Sequence, residues 1–411
     1  MLIYAGIDEA GYGPFFGPLT VGRCVIRIPR APGPGDPDAT PQAAADPPNR
    51  DDSSLDENRG DDPRGMNDRL NEGRNEGQDE GGDEGGVLPD LWARLSQAVS
   101  PSLSGRRGRV VVADSKKLKT KAAGLSHLER GCLAFAGLWN PADAHHVHPD
   151  PHPADAGGGT DSETPATNEN HNGGWDVGRW LDALGETSHR ELGGVPWYDE
   201  AEAGPWDALP AQADPGELAV ERGMLRQTAR RIGVEVADLG CAVVFEDRFN
   251  QQVAATRSKA AVNFTCIAGH LQSIWQRFGH QWPIVVVDRQ SGRTRYREVL
   301  AMNFPDARVS VRQESAAASA YLITQPRHRR SMEVRFQTQA EARHLPVALA
   351  SMLAKYNREL LMARFNRTFT RWLPEVPPTA GYGQDAQRFW KQVRPHLDRL
   401  GIDPQHLRRQ A

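Results

Sequence analysis

Two long stretches with almost no periodic apolar positions limit how this sequence can fold. Residues 31–90 contain 17 acidic and 5 basic residues among many Pro, Gly and Asn. Residues 141–215 contain 15 acidic and 2 basic residues, although four tryptophans and a tyrosine there indicate some local docking. Such segments bury too little apolar surface to offset the entropy lost on ordering. We therefore predict one folded domain built from residues 1–30, 91–140 and 216–411, interrupted by an acidic disordered insertion (31–90) and a partly disordered acidic one (141–215).

The folded pieces are strongly basic. The whole chain has a formal net charge of −4 and the two insertions carry −12 and −13, which leaves +21 for the other 276 residues. A basic surface favours polyanionic partners, because neutralising phosphates releases condensed counterions. The alternative is that this charge serves only solubility.

The cysteines and the apolar runs bear on the compartment. The four cysteines are scattered without a Cys-x-x-Cys pair, and eighteen consecutive apolar residues occur nowhere. These features argue against a disulfide framework, a structural zinc site and a membrane span. The first residues also lack the basic region of a secretory signal. We therefore expect a cytoplasmic protein with no membrane association.

Outside the insertions, short apolar runs alternate with helical patterns, which predicts the mixed α/β class. The predicted strands cover residues 2–7, 20–28, 110–113, 242–245, 284–287, 308–312 and 332–336. The predicted helices cover about residues 217–231, 248–278 and 346–365.

Carboxylates stand directly after several of these strands. Asp8 and Glu9 follow the first strand, Asp288 follows the most apolar strand, and Glu341 precedes the last helix. Strand ends are where α/β folds place their sites. Carboxylates brought together there repel each other unless divalent cations neutralise them, and their hard oxygens suit Mg²⁺ or Mn²⁺. With the basic surface this pattern indicates a nuclease, although each acid alone also fits a solvated turn or a helix N-cap.

Several segments match one known pattern in chain order. They are Gly-Ile-Asp-Glu-Ala-Gly-Tyr-Gly at 6–13, Asp-Ser-Lys-Lys-Leu at 114–118, Val-Val-Asp at 286–288, the Ala-Ser-rich stretch at 338–356, Gly-Tyr-Gly at 381–383 and a closing basic motif at 405–409. Together they resemble ribonucleases HII and HIII, which cut the RNA strand of RNA–DNA hybrids. The resemblance covers most of the basic pieces and neither insertion.

The resemblance implies an α/β, ribonuclease H-like fold, with a mixed five-stranded sheet flanked by helices. It also implies a metal-dependent endoribonuclease that acts on RNA–DNA hybrids and leaves a 3′-hydroxyl and a 5′-phosphate. Asp8, Glu9, Asp288 and Glu341 would be both the catalytic residues and the ligands of Mg²⁺ or Mn²⁺. In a two-metal site, Asp8 would bridge both ions.

The motifs also supply candidate contacts to the nucleic acid. Glycines let backbone N–H groups approach a sugar or phosphate, lysines contact phosphates, and an exposed tyrosine can pack near a 2′-hydroxyl. Each also has a plainer interpretation, as a tight turn, a solvated basic turn or a tyrosine that packs against the sheet. The candidate substrate-binding residues are Gly11, Tyr12, Gly13, Lys116, Lys117 and Tyr382.

One departure from the family pattern bears on the substrate. Ribonuclease HII has Gly-Arg-Gly where this chain has Gly11, Tyr12 and Gly13, which puts recognition of a single embedded ribonucleotide in question. Two other functions stay open: a non-catalytic nucleic-acid-binding protein on the same fold, and a metal-dependent nuclease with an altered substrate. A His-rich tract at 143–152 fits an incidental loop better than a metal site.

Overall fold

The computed structural model describes residues 1–29, 88–120, 123–141, 175–185, 194–205, 207–289 and 292–410. Residues Met1–Arg30 with Asp90–Ala411 form one compact unit, the larger unit, and Ala31–Pro89 are not part of it. The predicted disorder of residues 31–90 lies outside the described residues, apart from the last three, as does the His-rich tract at 143–152.

A mixed sheet is the centre of the larger unit. The strands are β1 (Leu2–Ala10), β2 (Leu19–Ile28), β3 (Val99–Ser100), β4 (Val110–Val111), β5 (Glu235–Val244), β6 (Ile284–Asp288), β7 (Arg308–Glu314), β8 (Ala318–Gln325) and β9 (Arg330–Gln337). Seven of them form the sheet in the order β5-β2-β1-β6-β9-β8-β7, while β3 and β4 pair separately. Strand β6 lies parallel between β1 and β9, and the other neighbours in the sheet are antiparallel.

The predicted mixed α/β class is confirmed, but the strand count differs from the expected five. The sheet has seven strands, because the hairpin β7–β8 extends it beyond β9. Strand β8 was not predicted. In the structure its side chains alternate: Tyr321 and Ile323 point into the core, and Ala320 and Thr324 lie on a half-exposed face. The predicted strand at 110–113 pairs only with β3 and is not part of the main sheet.

Helices cover both faces of the sheet. In the part of the chain that the structure describes they are α1 (Leu91–Arg94), α2 (Ser115–Leu118), α3 (Ser126–Ala136), α4 (Val177–Ala183), α5 (Glu200–Ala203), α6 (Pro215–Ile232), α7 (Glu246–Thr256), α8 (Lys259–Phe278), α9 (Arg297–Asn303), α10 (Leu345–Trp372), α11 (Gly383–Val393), α12 (Leu397–Leu400) and α13 (Pro404–Leu407). Short 3-10 turns lie at Gly279–Gln281, Pro326–His328, Ala340–Ala342 and Arg394–His396.

The long helix predicted at 248–278 is two helices. Arg257 ends α7 with a positive φ of 53°, and Ser258 begins α8 by accepting a hydrogen bond from the Ala261 N–H. A serine before an apolar helical run is a typical N-cap. The helix predicted at 217–231 is confirmed as α6, and the one predicted at 346–365 continues to Trp372 as α10.

Helix α8 packs on one face of the sheet and α10 on the other. Two glycines allow α10 to approach closely. A Cβ atom on Gly6 would lie 2.2 Å from the Val347 nitrogen, and one on Gly22 would lie 2.1 Å from the Ala350 oxygen. The start of α10 is therefore pressed against β1 and β2, near the end of β1 that carries Asp8 and Glu9.

The described parts of residues 141–215 pack against α10. Trp180, Trp197 and Tyr198 are buried, and the Trp180 indole donates a hydrogen bond to Asn357 Oδ1 at 2.6 Å. The aromatic residues of this segment thus contribute to the core of the larger unit. No helix of the described residues is long and apolar enough to cross a membrane.

Candidate active site

The four predicted carboxylates are brought to one end of the sheet. Asp8 and Asp288 follow the parallel residue pair Ile7 and Val287 on β1 and β6. Glu341 lies in the 3-10 turn after β9, and this turn is tied to Asp288 because the Ala340 N–H donates to its carboxylate at 2.9 Å. Parallel neighbouring strands end at the same edge of a sheet. The residues at their carboxyl ends therefore lie close together.

The carboxylates interact electrostatically with one another. Burial raises the pKa of Asp8 well above its usual range, and the charges of Glu9 and Asp288 raise it further. Burial also raises the pKa of Asp288 to about 7; the Ala340 N–H opposes this rise and Glu341 adds to it. Burial raises the pKa of Glu9 as well, against the effects of a nearby amide and of Lys116. Bringing these acids together is therefore unfavourable for their ionised forms.

The chemistry of this donor set fits a hard divalent cation. Four carboxylates supply the oxygen ligands that Mg²⁺ and Mn²⁺ prefer, and a cation would relieve the repulsion that raises the pKa values. The Glu341 Oε2 atom is buried and has no hydrogen-bond partner, as expected for a ligand atom. Among the described residues, however, no three His, Cys, Asp or Glu side chains form a preformed cation site. The side chains would have to close around an ion.

Asp8 has a polar neighbour on α10, Ser351. Burial dominates the pKa of Asp8, but the nearby Ser351 side chain lowers it. Ser351 stands on α10 where the helix crosses β1, and its hydroxyl also bonds to that of Ser115 at 3.1 Å. Ser351 therefore permits close packing and also contacts a candidate catalytic residue.

The turn at residues 11–17, which we call the glycine turn, places Tyr12 beside the acids. Gly11 has a φ of 82°, and a Cβ atom there would lie 2.5 Å from the Pro18 oxygen, so glycine is required. Tyr12 is 37% exposed; burial and the charge of Glu9 raise its pKa. A Cβ atom on Gly13 would meet nothing within 4 Å, so this part of the turn is open to solvent.

The two candidate lysines lie on α2. Asp114 caps this short helix by accepting a hydrogen bond from the Lys116 N–H at 2.9 Å. Lys116 is exposed and its charge lowers the pKa of Glu9 against the dominant effect of burial, so it lies beside the acids. Lys117 is exposed on the same helical turn.

Tyr382 lies next to the glycine turn. It is 39% exposed, with the Arg358 guanidinium 4.8 Å and the Lys355 ammonium 5.7 Å from its ring centre. The Phe15 N–H donates to the Gly381 oxygen at 2.8 Å, which joins the two turns. The structure thus places Lys116 and Tyr12 beside Glu9, and Tyr382 beside the glycine turn.

Sequence reasoning assigned no role to three residues of this region, although Arg409 lies in the closing basic motif at 405–409. Arg358 donates to the Phe16 oxygen at 2.9 Å, and Arg409 donates to the Tyr12 oxygen at 3.1 Å. Both are buried, and a buried arginine carries no sequence signal that separates it from a surface one. Asn263 is the nearby amide that lowers the pKa of Glu9; it is fully buried without a partner at hydrogen-bonding distance, so it acts over a longer contact. In the sequence, Asn263 was marked only by being a polar residue on an apolar helix face.

Comparisons with known proteins add little to this geometry. No protein-family model matches the sequence, and no curated protein is significantly similar to it. Among solved structures, one chain of the PCNA:RNase HII complex from Archaeoglobus fulgidus is similar, with 13% sequence identity and a TM-score of 0.33. The alignment covers 99% of this chain and 94% of that chain. A similarity this distant carries no argument, so fold and function rest on the chain's own residues.

Proposed function

We propose that this protein is a metal-dependent endoribonuclease that hydrolyses the RNA strand of RNA–DNA hybrids. The carrying observation is the group of four carboxylates at the ends of β1 and β6 and in the turn after β9, three of them with raised pKa values. Mutually perturbed acids at a strand edge are typical of functional sites. The same four residues stand in the motifs that resemble ribonucleases HII and HIII.

In this proposal Asp8, Glu9, Asp288 and Glu341 hold Mg²⁺ or Mn²⁺. When bound, the ions supply an activated water and stabilise the leaving oxygen of the phosphodiester. The Ala340 N–H bonds to Asp288 and holds its carboxylate in place, and the Ser351 side chain lies beside Asp8. Products with a 3′-hydroxyl and a 5′-phosphate follow from the resemblance.

The exposed residues around the carboxylates would bind the nucleic acid. Lys116 and Lys117 would neutralise phosphates, and Tyr12 and Tyr382 would stack on sugars or bases. Gly11 and Gly13 would let the backbone approach the strand. Tyr382, with two cationic side chains near its ring, is suited to pack near the 2′-hydroxyl that distinguishes RNA from DNA.

One observation favours a nuclease with an altered substrate as the second candidate. Tyr12 is uncharged where ribonuclease HII has an arginine, so contacts at a junction between RNA and DNA would differ. A Tyr12→Arg variant that gains cutting at a single ribonucleotide would assign that difference to this side chain. The non-catalytic candidate is weaker, because four carboxylates without a cation oppose phosphate binding.

Cleavage of end-labelled duplexes tests the proposal. A continuous RNA–DNA hybrid and a DNA duplex with one ribonucleotide are incubated with Mg²⁺ or Mn²⁺, using wild type and Asp8→Asn. We expect the hybrid to be cut by the wild type only, while the variant still binds it. Binding without cutting by the wild type would favour the non-catalytic alternative, and turnover by the variant would remove Asp8 from the site.

A further inference from the structure

Besides Arg358, two buried charged side chains from distant parts of the chain bond to the backbone of the glycine turn. The turn leaves β1 at Ala10 and reaches β2 at Leu19, so no strand pairing fixes the residues between. Its backbone contacts instead involve Arg409, near the end of the chain, and Glu246, the first residue of α7. Both side chains are almost completely buried, with 2% and 0% exposure.

Arg409 contacts four residues of the turn. Its guanidinium donates to the backbone oxygens of Gly11, Tyr12 and Gly17, the last two at 3.1 and 3.4 Å. The backbone N–H of Arg409 donates to the Phe15 oxygen at 2.8 Å. The planar guanidinium offers several donors in a fixed geometry, which a lysine ammonium cannot reproduce.

Glu246 holds the other end of the turn. Its Oε1 atom accepts hydrogen bonds from the Gly17 N–H and from the Tyr198 hydroxyl, both at 2.9 Å. Tyr198 belongs to the described part of the second insertion. This segment therefore supports the turn indirectly, through Glu246.

Helix α7 also anchors the segment that carries Arg409. Asn250, one helical turn after Glu246, donates to the oxygens of Gln405 and Arg408 at 2.6 and 2.9 Å. Its Oδ1 atom accepts from the Gln410 N–H at 2.7 Å. One face of α7 thus fixes both supports of the turn.

We propose that Arg409 and Glu246 are positioning residues that fix the glycine turn, and through it Tyr12, against the nucleic acid. Neither touches the carboxylates through a hydrogen bond, so both act on substrate binding and leave the chemical step unchanged. This inference rests on the proposed function only where the test measures cleavage of the hybrid. The order of the turn itself is measurable without any substrate.

The test compares Arg409→Ala, Arg409→Lys and a control, Arg399→Ala, at an arginine exposed on α12. Losing hydrogen bonds from a charged donor should raise KM for the hybrid about tenfold or more, with kcat unchanged. Arg409→Lys should lie between Arg409→Ala and wild type. Hydrogen exchange of the full-length proteins should be faster at residues 11–17 in Arg409→Ala and unchanged in the control.

A second pair of variants covers the possibility that Arg409→Ala does not fold. Glu246→Gln keeps an oxygen that can accept from Gly17 and Tyr198, whereas Glu246→Ala removes it. We expect faster exchange at residues 11–17 and a raised KM in Glu246→Ala, with Glu246→Gln closer to wild type.

Unchanged exchange at residues 11–17 in folded Arg409→Ala or Glu246→Ala would overturn the inference. So would a fall in kcat at constant KM. If the wild type cuts no duplex, the proposed function fails, while the exchange measurements still decide whether these residues fix the turn.

Discussion

The side-chain oxygens of Ser351 and Ser115 lie 3.1 Å apart, which links α10 to the short helix that carries Lys116. Ser351 also lies beside Asp8, where it lowers a pKa that burial raises. We expect Ser351→Ala to reduce kcat about tenfold, because a polar neighbour that favours the ionised form of Asp8 is lost; tenfold corresponds to about 1.4 kcal/mol. Steady-state kinetics on the hybrid measure this. Ser115→Ala, which loses only the bond between the serines, should have the smaller effect, and equal effects would contradict the role given to Ser351.

Removal of one carboxylate should stabilise the metal-free protein. Burial and two neighbouring charges raise the pKa of Asp8, so its ionised form is unfavourable near pH 7. In EDTA we expect Asp8→Asn to melt about 2–4 °C above the wild type, which corresponds to roughly 1 kcal/mol. Saturating Mg²⁺ should stabilise the wild type, by about 2.7 kcal/mol at a hundredfold excess over Kd, and have little effect on the variant. Equal responses to Mg²⁺ would argue that Asp8 is not a ligand.

Gly22 should tolerate no side chain. A Cβ atom there would lie 2.1 Å from the Ala350 oxygen, and backbone atoms cannot move aside as a flexible side chain can. We expect Gly22→Ala to lower the free energy of unfolding by about 1–3 kcal/mol or more, measured by urea denaturation. The matched control is Gly269→Ala in α8, where a Cβ atom meets nothing within 4 Å. That variant should be more stable by about 0.5–1 kcal/mol, the helix preference of alanine over glycine.

His344 should make stability depend on pH. Burial, with the charges of Arg343 and Arg335, lowers its pKa to about 4. The neutral ring bonds to the Tyr4 hydroxyl at 2.5 Å and to Gln337 at 2.6 Å. An unfolded histidine titrates near pH 6.5. Between these values the unfolded state binds more protons, so this contribution to stability is present above pH 6.5 and is lost as pH falls toward 4.

The measurement is the difference in unfolding free energy between wild type and His344→Gln at pH 7 and pH 5. We expect the wild type to lose stability relative to His344→Gln between pH 7 and pH 5. Allowing for the partial exposure of the ring, the loss should be roughly 1–2 kcal/mol. The difference between two proteins is needed because acids with raised pKa values, such as Asp288, act in the opposite direction. No change between the two pH values would mean that His344 titrates normally.

The sequence predicted the parts of the site that follow from one strand at a time. Asp288 stood out because an apolar run ends there, and periodicity alone located β1, β6 and α10. Pairing between strands has no such local signal, so β7 was predicted as a strand at 308–312 but its pairing with β8 was not expected. The break between α7 and α8 depended on a single residue, Arg257, in a left-handed conformation.

The supports of the site were harder to predict than its acids. Arg409 and Glu246 lie 163 positions apart in the numbering, and their shared role depends on a fold that brings both to one turn. A charge at zero exposure is rare enough that no composition rule would place Glu246 in the interior. The acids follow strands, whereas these partners depend on tertiary contacts.

The positions that flank residues 31–89 lie at the opposite end of β1 from Asp8. Strand β2 ends at Ile28, opposite Leu2, and Asp90 adds to the raised pKa of Tyr4, which is caused mainly by burial. Both junctions therefore lie near the start of β1, about 20 Å of strand from Asp8 at 3.3 Å per residue. A change of chain length between these two positions is therefore separated from the carboxylates by the length of β1.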